Sequence, residues 1–198
     1  LSSWRAAINC SEPVRYESHR QFVERFAPYG FRESALSVCY AMAENTFAVT
    51  QTPPGQPAPP DYVDLRALQE QHLALPATVD APGVFAVVSC GTPIDGCEVR
   101  IVDTHGKALP ERQVGEVALR STSMLTEYYR RPEETARALR GGWYHTGDMG
   151  YLAEGQLYIC GRSKDLIIVG GKNIYPQDIE AIASGTAGVY PGRAVAFG

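Results

Sequence analysis

The sequence predicts an α/β chain that turns to antiparallel β structure in its second half, and three observations carry that expectation. Apolar runs at Trp4 to Cys10 and Ala35 to Tyr40 bracket a stretch of helical periodicity, which is the order of a strand–helix–strand layer. From Val84 onward, short β-rich runs alternate with Gly- and Pro-containing turns. Between the two lies "TQTPPGQPAPP", where proline fixes φ and removes donors, so regular structure cannot persist.

The elements follow in order. Trp4 to Cys10 reads as a short buried strand. Residues 15 to 28 form a helix with Phe22, Val23 and Phe26 on one face, stopped by Pro28 and Gly30. Ala35 to Tyr40 is the second strand. Residues 51–83 read as an insertion with a helical patch from Asp64 to Leu73, where Leu65, Leu68 and His72 share a side fit to dock on a surface. Glu98 to Val102 and Val114 to Arg120 are strands joined by the polar turn "DTHGKALPERQ". "RPEETARALRGG" reads as a helix: Pro132 suits the first position, Glu133 and Glu134 the positive end, Arg137 and Arg140 the negative end, and Gly141 the stop. "GQLYICGR" and "LIIVGG" are strands, and Pro176 to Ser184 is a last helix closed by Gly185.

Composition narrows the function classes. The 198 residues are 44% hydrophobic and 20% charged, enough to bury a core. A net charge of -4 argues against nucleic acid or an anionic membrane as partner. No run approaches the length of a bilayer span, so no stable membrane insertion is expected. The cysteines Cys10, Cys39, Cys90, Cys97 and Cys160 are dispersed and odd in number, as expected of reduced thiols in a cytoplasmic protein.

Four stretches could carry chemistry. In "YHTGDMG", Gly147 lets the backbone turn and Asp148 stands at the tip of a tight turn; its two oxygens suit a vicinal diol such as a ribose, or else simply cap the turn. His145 lacks any partner histidine in ligand spacing. In "YAMAEN", after the second strand, Tyr40 offers a flat face for a base and Glu44 a hard oxygen for Mg²⁺; a buried tyrosine and a solvated glutamate are the plainer alternatives. "VGGKNI" lacks the spacing of a phosphate loop, and its glycines suit a β-turn or a close backbone approach. Arg162 and Lys164 point the same way on an extended chain, toward a phosphate or into a bending joint, if not merely into solvent.

Together the ordered stretches "NCSEPV", "YAMAENT", "GEVALRS", "YHTGDMGYLAEGQLYICGR" and "GRSKDLIIVGGKNIYPQDIE" resemble the adenylate-forming superfamily of acyl-CoA synthetases, adenylation domains and luciferases. "LSSWRAAINCSEPV", "VSCGTPI", "NIYPQDIE", "GVYPGRAVAFG" and the insertion after "AENT" are most similar to the fatty acyl-AMP ligases. The resemblance implies that residues 1–162 are the end of the large AMP-binding domain. They divide into an α/β layer at 1–50, the insertion at 51–83 and a β-rich, distorted-barrel subdomain at 84–162. Residues 163–198 would be the hinge and the start of the small α+β domain.

It also implies roles. Tyr40 stacks on adenine, with Ser11, Glu12 and Pro13 as the other wall. Glu44 holds the Mg²⁺ that accompanies ATP, Asp148 holds the ribose hydroxyls, Arg162 contacts ribose or phosphate, and Lys164 is the hinge. Ala41 departs from the superfamily's usual glycine, and Ala43 from its usual threonine. The phosphate-gripping loop and the catalytic lysine of relatives are expected upstream of Leu1 and beyond Gly198. The implied reaction joins a fatty acid to ATP as acyl-adenylate, for transfer to an acyl carrier protein. Alternatives are an acyl-CoA synthetase, in which CoA is the acceptor, and a truncated nucleotide-binding module without turnover. In the ligases, an insertion at this place restrains small-domain rotation and disfavours CoA.

Overall fold

The computed structural model describes residues 1–170, 172–190 and 192–198. The first layer has a parallel pair: β1 (Ala7–Asn9), helix α1 (Tyr16–Phe26) and β2 (Leu36–Ala41), with Asn9 beside Val38. Phe22, Val23 and Phe26 pack on Phe31, Ala35 and Leu36, as their shared helical face requires. A one-turn 3-10 segment, Ala27–Tyr29, follows α1, and Gly30 at φ 85° ends it. The expected buried strand from Trp4 to Cys10 is shorter and more open. β1 is an edge with β2 as its partner, and Ile8 stays 50% exposed.

β3 (Ala48–Gln51) returns antiparallel to β2 after a 3-10 turn at Ala43–Asn45. The insertion then forms β4 (Pro60–Asp64), which was not expected, and α2 (Leu65–Gln71) where the helical patch was expected; the α2 N-cap Asp64 accepts from the Ala67 N–H at 2.7 Å. β4 pairs in full with β5 (Val84–Val88). Val63 is 0% exposed and Leu68 2%, inside a core with Val87, Val114, Tyr151, Tyr158 and Tyr175. Irregular chain is left at residues 52–59, where the prolines lie, and at 72–83 between α2 and β5; the apolar residues supply the burial that holds the segment.

β6 (Thr92–Pro93) completes the first sheet in the order β1-β2-β3-β6. Gly91 sits where a Cβ would lie 2.0 Å from the Gln51 carbonyl carbon, at φ 79°, so only glycine fits. β7 (Cys97–Val102), β8 (Gly115–Ser121), β10 (Trp143–Ala153) and β11 (Gln156–Arg162) make an antiparallel sheet in the order β11-β10-β8-β7. The end of β5 extends it: Ser89 bridges Tyr158, and Cys90 N–H donates to the Leu157 carbonyl at 2.8 Å. The sheet thereby curls into a half-barrel around Val38, Val88, Ile101, Val117 and Leu157.

Helix α3 (Pro132–Ala138) begins as expected but ends earlier. Leu139 and Arg140 form β9, which pairs with Trp143 and Tyr144, and Gly141 and Gly142 at φ 57° and 79° make the hairpin turn between them. Arg140 is therefore a strand residue, and Gly141 a turn rather than a helix stop.

After β11 a 3-10 turn, Ser163–Asp165, leads to β12 (Ile167–Val169), β13 (Lys172–Ile174) and α4 (Pro176–Ser184). That turn ends the extended alternation expected to align Arg162 with Lys164. Gly170 at φ 58° fits the β-turn expected of the glycine pair, whereas Gly171 lies outside the described residues. No described helix is long and apolar enough to cross a membrane.

Candidate functional site

Asp148 is the centre of the site, and its setting differs from the tight turn expected. It lies inside β10, where the pairing with β8 slips between His145 and Met149. Gly147 at φ 75° opens this bulge. Glu116 of β8 holds it from below: Oε1 accepts from the Gly147 N–H at 3.0 Å, and Oε2 lies 2.9 Å from His145 Nδ1 and 3.1 Å from Arg140. The Thr146 hydroxyl accepts the Asp148 N–H at 3.0 Å. His145 is thus a buried partner of Glu116.

The Asp148 side chain is 13% exposed, and each oxygen has a named donor. Tyr40 at the end of β2 donates its hydroxyl to Oδ2 at 2.5 Å, and Arg162 at the end of β11 donates Nε to Oδ1 at 3.1 Å. Burial first, and then the Asp148 charge, push the Tyr40 phenol well above its ordinary range, so it stays a donor. A carboxylate oxygen accepts more than one hydrogen bond, so both oxygens keep capacity for hydroxyls of a ligand.

Tyr40, Asp148 and Arg162 line one cavity of about 720 Å³, together with Ser11, Glu12 and Pro13 on the loop after β1 and with Lys164. Seven of the eight residues singled out in the sequence therefore meet in one place. α4 and the last residues border it too, through Gln177, Glu180 and Ala196. Glu44 stands apart. The Tyr128 hydroxyl donates to its Oε1 at 2.9 Å and lies 3.0 Å from the Tyr144 hydroxyl, and Glu44 does not border that cavity.

Glu116, Thr146 and Tyr128 were not anticipated. Glu116 carried one legible signal, a charge within the apolar run "GEVALRS". The other two become meaningful once the strands are paired.

The profile of the AMP-binding enzyme family matches residues 1–129. The chain belongs to that family. It is 41% identical over 191 residues to the medium-chain-fatty-acid–[acyl-carrier-protein] ligase JamA of Moorena producens, covering 91% of this chain and 32% of that protein. It is 37% identical to the long-chain-fatty-acid–AMP ligase FadD32 of Mycobacterium marinum, covering 92% and 32%. A solved structure among the fatty acyl-adenylate ligases of E. coli and L. pneumophila superposes with a TM-score of 0.93 at 35% identity, covering 100% of this chain and 36% of that one. The chain thus spans about a third of the length of these family members.

Proposed function

We propose that this chain supplies the adenylate-binding end of an ATP-dependent fatty acyl-AMP ligase: the last part of the large domain, residues 1–162, then the hinge at Lys164 and the beginning of the small domain, 163–198. The observation that carries the reading is the Asp148 carboxylate, oriented by Tyr40 and Arg162 on the wall of a cavity that also contains the Ser11–Pro13 loop. A ribose diol meets Asp148, the Tyr40 ring gives adenine a flat partner, and Arg162 brings positive charge beside the phosphate. Carboxylate oxygen of the fatty acid attacks the α-phosphorus, and pyrophosphate leaves. The protein's share is to hold the partners in line and neutralise charge.

ATP would bring Mg²⁺. Among the described residues no group of three or more His, Cys, Asp or Glu could cage a metal. A single half-buried carboxylate such as Glu44 nevertheless fits an ion that takes one or two protein oxygens and completes its shell with phosphate and water. The ion supplies charge neutralisation on the phosphates.

The acceptor is read as an acyl carrier protein rather than CoA. α2 is tied to β13 by Glu70 and Lys172 at 2.8 Å and by Asn173 against His72 at 3.2 Å, contacts that restrain the small domain from turning. The experiment is to supply the full-length protein with ATP, fatty acid and either CoA or a phosphopantetheinylated carrier protein. Hydroxamate-trapped acyl-adenylate and carrier loading with little CoA thioester is the expected result. Efficient CoA thioester formation would establish the synthetase reading instead.

A further inference from the structure

We propose that Cys10 and Cys39 are a redox-modification site: they form a reversible disulfide beside the nucleotide cavity, by exchange with a small-molecule disulfide of the glutathione type. The inference starts from strand register. Asn9 of β1 is the partner of Val38 of β2, and the strands run parallel, so continuing that register brings Cys10, just past the end of β1, beside Cys39 within β2. Neighbouring strands stand about 4.8 Å apart, within the Cα separation of roughly 4.4–6.8 Å that a disulfide spans. Successive side chains alternate between faces, so the two cysteines share one.

A second observation agrees. Cys39 feels the neighbouring Cys10 electrostatically, while burial, the larger cause, pushes its thiol to about 11. Cys10 alone of the five cysteines is not buried. It is the sulfur that a reagent meets, and Cys39 is the one that resolves.

The step balances. Cys10 thiolate attacks one sulfur of the small disulfide; that S–S bond breaks and one thiolate departs. Cys39 then attacks the Cys10 sulfur, its proton passes to the second departing thiolate, and the protein disulfide closes. Two protein thiols are oxidised, and the small disulfide is reduced to two thiols.

Position gives the bond a consequence, which rests on the nucleotide reading above. Ser11, Glu12 and Pro13 follow Cys10 directly, Tyr40 follows Cys39, and Cys39 itself borders the cavity. Closing the bond ties the bases of the two adenine walls to each other and removes their freedom to adjust to the ring. The oxidised form therefore binds AMP more weakly, by roughly tenfold.

The test is to treat the protein with oxidised glutathione, digest it without reductant, and map the peptides by mass spectrometry. Calorimetry then compares AMP binding before and after treatment, and again after dithiothreitol. The expected result is a Cys10 peptide linked to the Cys39 peptide, with AMP affinity lost on oxidation and restored on reduction. Cys10→Ser should bind AMP as the reduced protein does and be indifferent to oxidant. A glutathione adduct on Cys10 with Cys39 still free to alkylation would overturn the pair, as would linkage of Cys39 to Cys90. Equal AMP affinity in the linked and reduced forms would overturn the coupling. Failure of the reduced protein to bind AMP would instead count against the nucleotide reading, and the peptide map would still decide the disulfide.

Discussion

Asp148 is held by one donor on each oxygen and by a bulge that Glu116 props from the neighbouring strand. Removing the carboxylate takes away the proposed acceptor for the diol and leaves Tyr40 and Arg162 without their partner. A charge-assisted hydrogen bond is worth roughly 1.5–3 kcal/mol, so Asp148→Ala should weaken AMP binding about ten- to a hundredfold in calorimetry. Tyr40→Phe keeps the ring and loses only the hydroxyl, so its effect should be much smaller; an equal loss would mean that the phenol, not the face, does the binding. A different residue governs acid stability. His19 of α1 lies with Nε2 3.1 Å from the Asn9 amide nitrogen, and burial holds its imidazole below the ordinary range. The neutral ring is therefore the folded form, and the stability it contributes is present above pH 6.5 and lost as pH falls through the depressed value. Thermal unfolding between pH 7 and pH 5 should show a drop in the native protein that His19→Gln flattens.

Among the elements, β4 and the full burial of Leu68 in α2 depart furthest from what the sequence conveys. The prolines from Pro53 to Pro60 signal irregular chain and the following patch a helix docked on a surface, yet Val63 and Leu68 are part of the main core itself. Leu68→Ala should cost about 2–5 kcal/mol in denaturant unfolding, whereas a segment docked loosely on a surface would lose well under 1 kcal/mol. Cutting the tie alone is the cleaner intervention. Glu70→Ala with His72→Ala leaves the core in place and frees α2 from β13, so the full-length protein should gain CoA thioester formation while hydroxamate yield holds. What was legible elsewhere followed local chemistry. The apolar face of α1, Pro132 at the start of α3 and Pro176 at the start of α4 declare their elements. Arg140 and Asp148 were misplaced because their surroundings depend on pairing between strands: Gly141 and Gly142 close a hairpin only because Trp143 and Tyr144 come back beside Leu139 and Arg140. The site residues were recognisable as a set from their motifs, but that Glu44 belongs with Tyr128 and Tyr144 is a fact of tertiary packing.

Across the whole molecule, residues 163–198 meet the rest through the Lys172 and Asn173 contacts described above and through a ring sunk in the main core. Tyr175 is 4% exposed within the main core, and Gly161 makes room for it: a Cβ there would stand 2.4 Å from the Tyr175 ring. Gly161→Ala should therefore expel the ring and expose α4 to limited proteolysis before β10 or β11. Asp178, one turn along, is raised above its ordinary value by burial, with Arg15 opposing. Docking of this region is thus strongest below pH 3.8 and weakens as pH rises through the raised value; Asp178→Asn should remove that trend from hydrogen exchange of α4.

Tyr175 also sets a thermal character for any motion about Lys164. To turn, the chain must draw an aromatic ring out of a dry core into water, and hydrating apolar surface raises heat capacity. A step limited by that withdrawal has an activation enthalpy that grows with temperature. On the proposed hinge, a transfer step that requires this turn should therefore curve on an Arrhenius plot in the full-length protein, and a step that does not require it should stay straight.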